Sequence, residues 1–352
     1  MKTYDAIVVG GGPAGLVAAA RLAEAGAATA VLDPEAPWEK PCGGGLSPVA
    51  LDLFPWLADL EQTSRRVSRV HLTSVHGASV TLEGQEPYFV LSRRELAAAL
   101  LARARAAAAE HLPHRVRSVA RDGAAWQVRH DGGQLRGRLL VGADGVASVV
   151  RRAVRGAFAR SDLGVAMGYH LSGCPLNALR LWFQRPEGFA YLFPRRDAAS
   201  LGVGWRASLR GGRASSRRLL ERALRSWAPG ASIVGRYSHA FPSMVSREGW
   251  AEPRVGEGWA LVGDAAGHVD PVRGEGIIYA MWGASLLADA VIEGRPETYE
   301  DRWRDAFGGS LWRKLPKRWV LRVPGLAGAG MLLARPFPRA RECLYRRSQH
   351  HS

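Results

Sequence analysis

Residues 3–9 (TYDAIVV) are a short β-branched apolar run, followed by the turn Gly10-Gly11-Gly12-Pro13-Ala14-Gly15. A run of that composition suits a buried parallel strand. An alanine-rich helical pattern follows to about Ala25, and Gly26 stops it. A second apolar run, Ala28 to Leu32, ends on Asp33. The whole is a strand–helix–strand unit in which each part has a physical task. Gly10 permits the tight turn, Gly12 lets the backbone approach a pyrophosphate, and Gly15 lets helix and strand pack closely. The helix N-terminus, with Ala14 in its first turn, turns free amides and partial positive charge toward the phosphates. Asp33 is placed to accept hydrogen bonds from an adenosine ribose and to repel a 2′-phosphate, which disfavours NADP at this turn. A glycine-rich turn alone also serves as a plain strand-to-helix connection; strand, helix and acid in this order make it specific.

At 352 residues the chain suits two intimately packed domains, and an apolar fraction of 47% excludes extensive disorder. No stretch reaches the roughly 18–20 consecutive apolar residues that span a bilayer. The most apolar late segment, 320–334, is broken by Arg322 and Pro324. Residues 1–9 lack the regions of a secretory signal, so a cytoplasmic location is expected. Cys42, Cys174 and Cys343 are widely spaced without a CxxC, and the ten histidines show no HExxH spacing. Neither a disulfide framework nor a structural metal is expected.

The formal charge of +16 rests on arginine, since only Lys2, Lys40, Lys314 and Lys317 of the 48 basic residues are lysine. A compositional bias accounts for that balance as readily as attraction to anionic partners does. Basic residues gather late, at Arg313, Lys314, Lys317, Arg318, Arg322, Arg335, Arg339, Arg341, Arg346 and Arg347. Trp312, Trp319, Leu332, Leu333 and Phe337 lie among them. Basic and aromatic residues together suit peripheral contact with an anionic membrane surface. No helix-turn-helix, zinc-finger or RNP-type motif supports a nucleic-acid partner.

Residues 68–91 alternate and contain turn residues, as antiparallel strands do. Ser92-Arg93-Arg94-Glu95 has the capping-box pattern ahead of a helix expected from Leu96 to about Glu110. Short strands are expected around 115–120, 124–130 and 136–141. Residues 161–253 are strand-rich and aromatic, with one clear helix from Leu219 to Trp227. A strand at Trp259–Val262 and a helix from about Gly276 to Ile292 complete the pattern. The expected fold is α/β. A Rossmann-like nucleotide domain (1–67, 92–160 and 254–296) is interleaved with a strand-rich α+β substrate domain (68–91 and 161–253). A helical, basic C-terminal segment (297–352) follows.

Four distant signatures resemble those of flavoprotein monooxygenases and their relatives, and the resemblance implies FAD as the dinucleotide. Gly258-Trp259-Ala260-Leu261-Val262-Gly263-Asp264-Ala265-Ala266 resembles their strand-then-Gly-Asp motif, whose aspartate, here Asp264, holds a ribityl hydroxyl. Pro271-x-x-Gly274-x-Gly276-Ile277 opens a helix whose amides can stabilise negative charge on the N1/C2-oxygen side of a reduced flavin. Gly142-Ala143-Asp144-Gly145 with Ser148 and Arg151 resembles the group's Asp-Gly motif. Arg93 matches the arginine that begins the first long inserted helix and reaches toward the cofactor, and Val116 is counted with the cofactor contacts. Only one strand-preceded Gly-x-Gly-x-x-Gly is present, so NADPH or another reduced donor would dock transiently, without a domain of its own.

Within these flavoproteins the sequence is most similar to the geranylgeranyl reductase family. Lys40-Pro41-Cys42-Gly43-Gly44-Gly45-Leu46-Ser47 stands where the family has a Cys-Gly loop beside the flavin. Gly188-Phe189-Ala190-Tyr191-Leu192-Phe193-Pro194, followed by Leu201-Gly202-Val203-Gly204, resembles its Tyr-x-Trp-x-Phe-Pro motif, whose aromatic residues line an isoprenoid cavity. Asp264 to Ile277 continues into Tyr279-Ala280 as in the family. Phe189 and Tyr191 stand where the pattern has Tyr and Trp, so aromatic character persists while the polar atoms move.

The resemblance implies a catalytic role for Cys42, and Cys42, Gly43 and Gly45 as flavin contacts; for the proton donor, Tyr191 and cavity water are equal candidates. It implies Phe189, Tyr191 and Phe193 as the wall of a prenyl site, and their period of two does put them on one strand face. A free cysteine also serves as a small buried hydrophobe, and an aromatic stripe also serves as core. The activity implied is FAD-dependent saturation of C=C bonds in a prenyl lipid or isoprenoid chain. The shared motifs also suit an aromatic or lipid monooxygenase, or a non-catalytic electron-transfer flavoprotein. A halogenase is disfavoured by the lack of a Trp-x-Trp-x-Ile-Pro motif.

Overall fold

The computed structural model describes residues 2–74, 77–174, 176–184 and 188–316. The basic and aromatic tail from Lys317 onward, on which most of the membrane expectation rests, lies outside the described residues, as does Cys343. The chain divides into two compact units. Among the described residues, the first comprises 2–39, 94–162 and 241–313, and the second 40–93, 163–240 and 314–316.

In the first unit a parallel layer runs in the order Trp259–Leu261, Gly133–Gly142, Lys2–Val9, Thr29–Leu32, Glu110–Leu112. Lys2–Val9 is central, and its Ile7 and Val8 are fully buried, as burial on both faces requires. Val116–Asp122 and Ala125–His130 extend the sheet antiparallel from Gly133–Gly142. The apolar helices Pro13–Glu24 and Ile277–Ile292 pack together, and Arg21 donates to Asp289 across them at 2.7 Å.

Two expectations are corrected here. The helix after Ser92 spans Arg93–Ala106 and does not reach Glu110. Ala108 takes φ +65°, and the chain enters Glu110–Leu112, the outer parallel strand. A polyalanine run carries no stop signal, and three residues are too few to show a strand period. The boundaries between units also differ from those expected. Residues 40–67 fall in the second unit because Gly45–Leu46 pairs with Ser79–Val90, and Arg65–Thr73 is itself a strand of the second sheet.

Residues 241–253 and 297–313 fall in the first unit. The buried Asp162 carboxylate accepts from the amides of Val245 (2.7 Å) and Ser246 (2.8 Å) and from the Ser246 hydroxyl, which holds the first of these segments. Fully buried Tyr299, Trp303 and Phe307 hold the second. The Tyr299 hydroxyl donates to the Leu261 carbonyl at 3.1 Å.

The second unit is built on an eight-stranded sheet. Its order is Ser232–Pro242, Leu163–Ser172, Ala199–Arg206, Gly188–Pro194, Leu179–Gln184, Arg65–Thr73, Ser79–Val90, Gly45–Leu46. One parallel pair, Leu179–Gln184 with Arg65–Thr73, joins the two inserted segments. Helix Gly212–Trp227, longer at its start than the periodicity indicated, covers one face of the sheet. Its Leu220, Ala223 and Trp227 pack with Ala190, Leu192, Leu201 and Val203. Strand alternation puts Phe189, Tyr191 and Phe193 on the opposite face.

Candidate functional site

In the first unit, Lys2–Val9 delivers the chain into Gly10 at φ +105°. A Cβ there would lie 2.4 Å from the Ala143 carbonyl oxygen, and one at Gly15 would lie 1.9 Å from the Gly10 oxygen. Packing fixes both glycines. Gly12 differs, because a Cβ there would meet nothing within 4 Å and its φ of −77° suits any residue. No side chain caps the helix Pro13–Glu24 that begins beside it. Open space at an uncapped helix N-terminus is what a pyrophosphate requires, so these residues fit the ADP half of FAD.

Asp33 does more than await a ribose. Its Oδ2 accepts from the Gly11 amide at 2.7 Å, and its Oδ1 from the amides of Glu35 (2.8 Å) and Ala36 (3.0 Å). A carboxylate has about four acceptor positions, so a ribose would share a group that already braces the turn. Ala14 is buried and faces Gly263, where a Cβ would lie 2.9 Å from its own. Val116 sits in the core with Leu32 and Trp126. Packing engages both side chains, and Val116 is paired with His130 in its strand ladder.

Trp259–Leu261 leads into the turn Gly263–Ala266, which carries half-buried Asp264. The chain then loops through Asp270, whose buried carboxylate accepts from the amides of Val272 (2.8 Å) and Arg273 (2.9 Å). Gly274 at φ +68° donates back to the Asp270 carbonyl at 2.9 Å. The loop brings Gly276 to Asp264, since a Cβ at Gly276 would lie 3.5 Å from Asp264 Oδ1. Helix Ile277–Ile292 begins there without a side-chain cap. A carboxylate acceptor beside helix-terminal amides matches a ribityl hydroxyl and the oxygens of a flavin pyrimidine.

The Asp144 carboxylate accepts from the Ser148 hydroxyl and from the Val149 amide at 2.6 Å, and burial pushes its pKa above the usual carboxylate range. Arg151 pairs with Glu252, donates to the Ala265 carbonyl at 3.4 Å and lies 3.7 Å over the Phe158 ring. It therefore ties the Asp-Gly motif to the turn that carries Asp264. Buried His268 is boxed by Trp303, Phe307 and Tyr299, with ring centroids 4.9, 5.1 and 6.4 Å away. Neither of its ring nitrogens has a hydrogen-bond partner among the described residues. Burial, helped by Arg254 and Arg304, holds the imidazole well below its usual pKa and neutral.

In the second unit, Arg93 is buried at the start of its helix. Cys42 is half-buried in the glycine loop, and its Sγ accepts from the Gly44 amide at 3.4 Å. Phe193 does not stand free as a cavity wall. A Cβ at Gly43 would lie 2.9 Å from its ring and one at Gly45 2.5 Å, so the two glycines seat that ring. Phe189, Tyr191 and Phe193 form a row with successive centroids 6.0 and 5.8 Å apart. Phe189 lies over Gly204 and Tyr191 over Gly202.

The Tyr191 hydroxyl bonds that of Tyr237 at 2.9 Å, and Tyr237 reaches Ser200 Oγ at 3.1 Å. Burial pushes Tyr191 well above the usual phenol pKa and Tyr237 up to about 12. Tyr237, Ser200, Arg195 and His268 were missed by sequence reasoning. The available signal was Gly168, Gly202 and Gly204 inside strands, since a strand glycine marks close approach by another group.

The FAD binding domain family model matches residues 3–298. The chain is 31% identical over 329 residues to the menaquinone reductase of Mycobacterium tuberculosis, covering 81% of this chain and 76% of that one. It is 27% identical over 351 residues to digeranylgeranylglycerophospholipid reductase 1 of Methanococcoides burtonii, covering 89% and 82%. Among solved structures, a geranylgeranyl bacteriochlorophyll reductase-like protein from Thermoplasma acidophilum superposes with TM-score 0.77 at 23% identity, covering 98% of this chain and 91% of that one. A flavin-dependent brominase gives TM-score 0.75 at 18% identity, covering 99% and 98%; these two likenesses speak to the fold alone. The chain belongs to the FAD-binding domain family, among its geranylgeranyl reductase-like members, and is an FAD-dependent oxidoreductase.

Proposed function

We propose that this oxidoreductase saturates C=C bonds of a prenyl lipid or isoprenoid chain. The observation that carries the reading is the row Phe189, Tyr191, Phe193, which ends against the Cys42–Gly45 loop. Bound FAD, once reduced, supplies the hydride, and a proton completes the addition. Gly12, Asp33, Asp264 and the amides at Gly276 and Ile277 hold and orient the cofactor. The aromatic row offers apolar surface to the chain being reduced. Each buried methylene contributes about 0.8 kcal/mol, so one five-carbon unit gains roughly 4 kcal/mol when fully buried.

Cys42 carries an exchangeable proton at the end of this row, and it serves the proton half of the reaction. Tyr191 remains a neutral phenol at physiological pH because its burial disfavours the phenolate. The names of the relatives, which include reductases of prenylated phospholipids and of menaquinone, support this substrate class. NADPH or another reduced donor reaches the flavin transiently. The basic, aromatic tail from Lys317 onward meets the membrane in which such lipids reside; no helix among the described residues is long and apolar enough to cross one.

Anaerobic photoreduction of the holoenzyme, followed by addition of a geranylgeranyl lipid, tests the proposal. Flavin reoxidation with a product heavier by two hydrogens per bond is expected. Reduced flavin that persists with unchanged lipid sinks the reading. Substrate-dependent oxygen uptake with a hydroxylated product would replace it with a monooxygenase.

A further inference from the structure

Three successive glycines after Cys42 give the loop little conformational preference of its own, yet the Cys42 carbonyl is held from two sides. Arg195 Nη2 donates to it at 3.1 Å and Ser200 Oγ at 2.8 Å. Ser200 has one proton, so a hydroxyl that donates to Cys42 can only accept from Tyr237. Tyr237 in turn accepts from Tyr191. Its own proton is shared between Ser200 Oγ and the Leu201 carbonyl at 3.2 Å. The hydroxyls thus run in one sense, from Tyr191 through Tyr237 and Ser200 to the peptide carbonyl of Cys42.

Ser200 is 0% exposed, and two glycines make room for the phenols. A Cβ at Gly168 would lie 2.4 Å from Tyr237 Cζ, and one at Gly202 2.3 Å from Tyr191 Cζ. A chain that ends on a carbonyl delivers no proton there. Its effect is geometric.

We propose that Ser200 and Tyr237 are positioning residues for the Cys42 thiol. They fix the Cys42 carbonyl, and with it the direction in which the glycine loop presents the sulfur. The consequence for turnover rests on the role proposed above for Cys42, whereas the geometry can be read without it.

The experiment uses the full chain with FAD, in a Cys174→Ser, Cys343→Ser background, and follows Cys42 alkylation by iodoacetamide with intact-mass detection. Ser200→Ala and Tyr237→Phe are expected to change the alkylation rate in the same direction by about fivefold, the weight of one buried hydrogen bond. Ser200→Thr, which restores the hydroxyl, is expected to return the parent rate. Parent rates in both Ser200→Ala and Tyr237→Phe overturn the proposal, as does Ser200→Thr behaving like Ser200→Ala. Where Ser200→Ala does not fold by circular dichroism, Tyr237→Phe, which loses one oxygen, decides by the same comparison. Prenyl saturation by Cys42→Ala separates the two claims. Retained turnover removes the catalytic role of Cys42 and leaves the alkylation result standing, whereas lost turnover with unchanged alkylation in the Ser200 and Tyr237 variants overturns the positioning role alone.

Discussion

The contact between the glycine loop and the aromatic row sets a quantitative test. A Cβ at Gly45 would lie 2.5 Å from Phe193 Cε1 and 2.9 Å from Cδ1. Ordinary carbon contacts lie at about 3.5–4.0 Å, so Gly45→Ala forces ring or loop to retreat by roughly 1 Å. The ring has little room to comply, because it meets Tyr191 edge-on at 5.8 Å and also lies against Gly43. Overpacking of this kind costs about 1–3 kcal/mol. Phe193→Ala removes the obstacle at a cost of about 2 kcal/mol, below the range for a fully buried ring because this one is half-exposed.

In the double variant the new methyl group enters space that the ring has left. Its stability should match Phe193→Ala alone within about 0.5 kcal/mol, which makes the coupling nearly equal to the whole cost of Gly45→Ala. Urea titration followed by tryptophan fluorescence reports on the second unit through Trp182, Trp205 and Trp227, which pack in its core. Each kcal/mol should also move Tm by about 2–4 °C. Additive single costs would refute the packing argument.

His268 is neutral and buried, and burial holds its pKa well below the usual imidazole value of about 6.5. As pH falls below about 6.5 the unfolded chain takes up a proton that the folded chain refuses, so stability falls toward acid. His268→Leu should be more stable than the parent by about 1–3 kcal/mol near pH 7 through loss of unpaired ring nitrogens, and the gap should widen as pH drops to about 5; a gap that stays flat in a pH series of urea midpoints contradicts the account. Gly12→Ala should leave apo stability within about 0.5 kcal/mol of the parent while weakening FAD by about tenfold or more, because the methyl group occupies the open space reserved for phosphate. Equal FAD retention on gel filtration would show that the space is not the cradle.

The first strand, its turn, the following helix and Asp33 were legible because each is written in consecutive residues with a physical period. The meeting of Asp264 with Gly276 was legible only as a motif, since a loop closed by the Asp270 carboxylate has no sequence period. Glu110–Leu112 was hidden behind an alanine run, and the place of residues 40–67 depended on a two-residue strand, Gly45–Leu46. Tyr237 and Ser200 stood furthest from view. Each is a common strand residue that matters through a partner distant in the chain, and that pairing appears only once the register of the sheet is known. Asp33 is legible as a ribose acceptor at the end of its strand, while its three amide partners depend on the folded turn around it.

The interleaving of the two units bears on the order in which the chain can mature. Trp259–Leu261 closes one side of the parallel layer by pairing with Gly133–Gly142, and it emerges from synthesis after every described strand of the other unit has begun. Domains fold as units while the chain grows, so the sheet with the Cys42 loop and the aromatic row can assemble while the nucleotide layer still lacks a strand and Asp264. On the ribosome, the surface proposed for substrate precedes the completed cofactor cradle. Flavin loading is then a late event that reports a nearly finished polypeptide, and a chain cut short before residue 264 should hold no flavin, however well its other unit has folded.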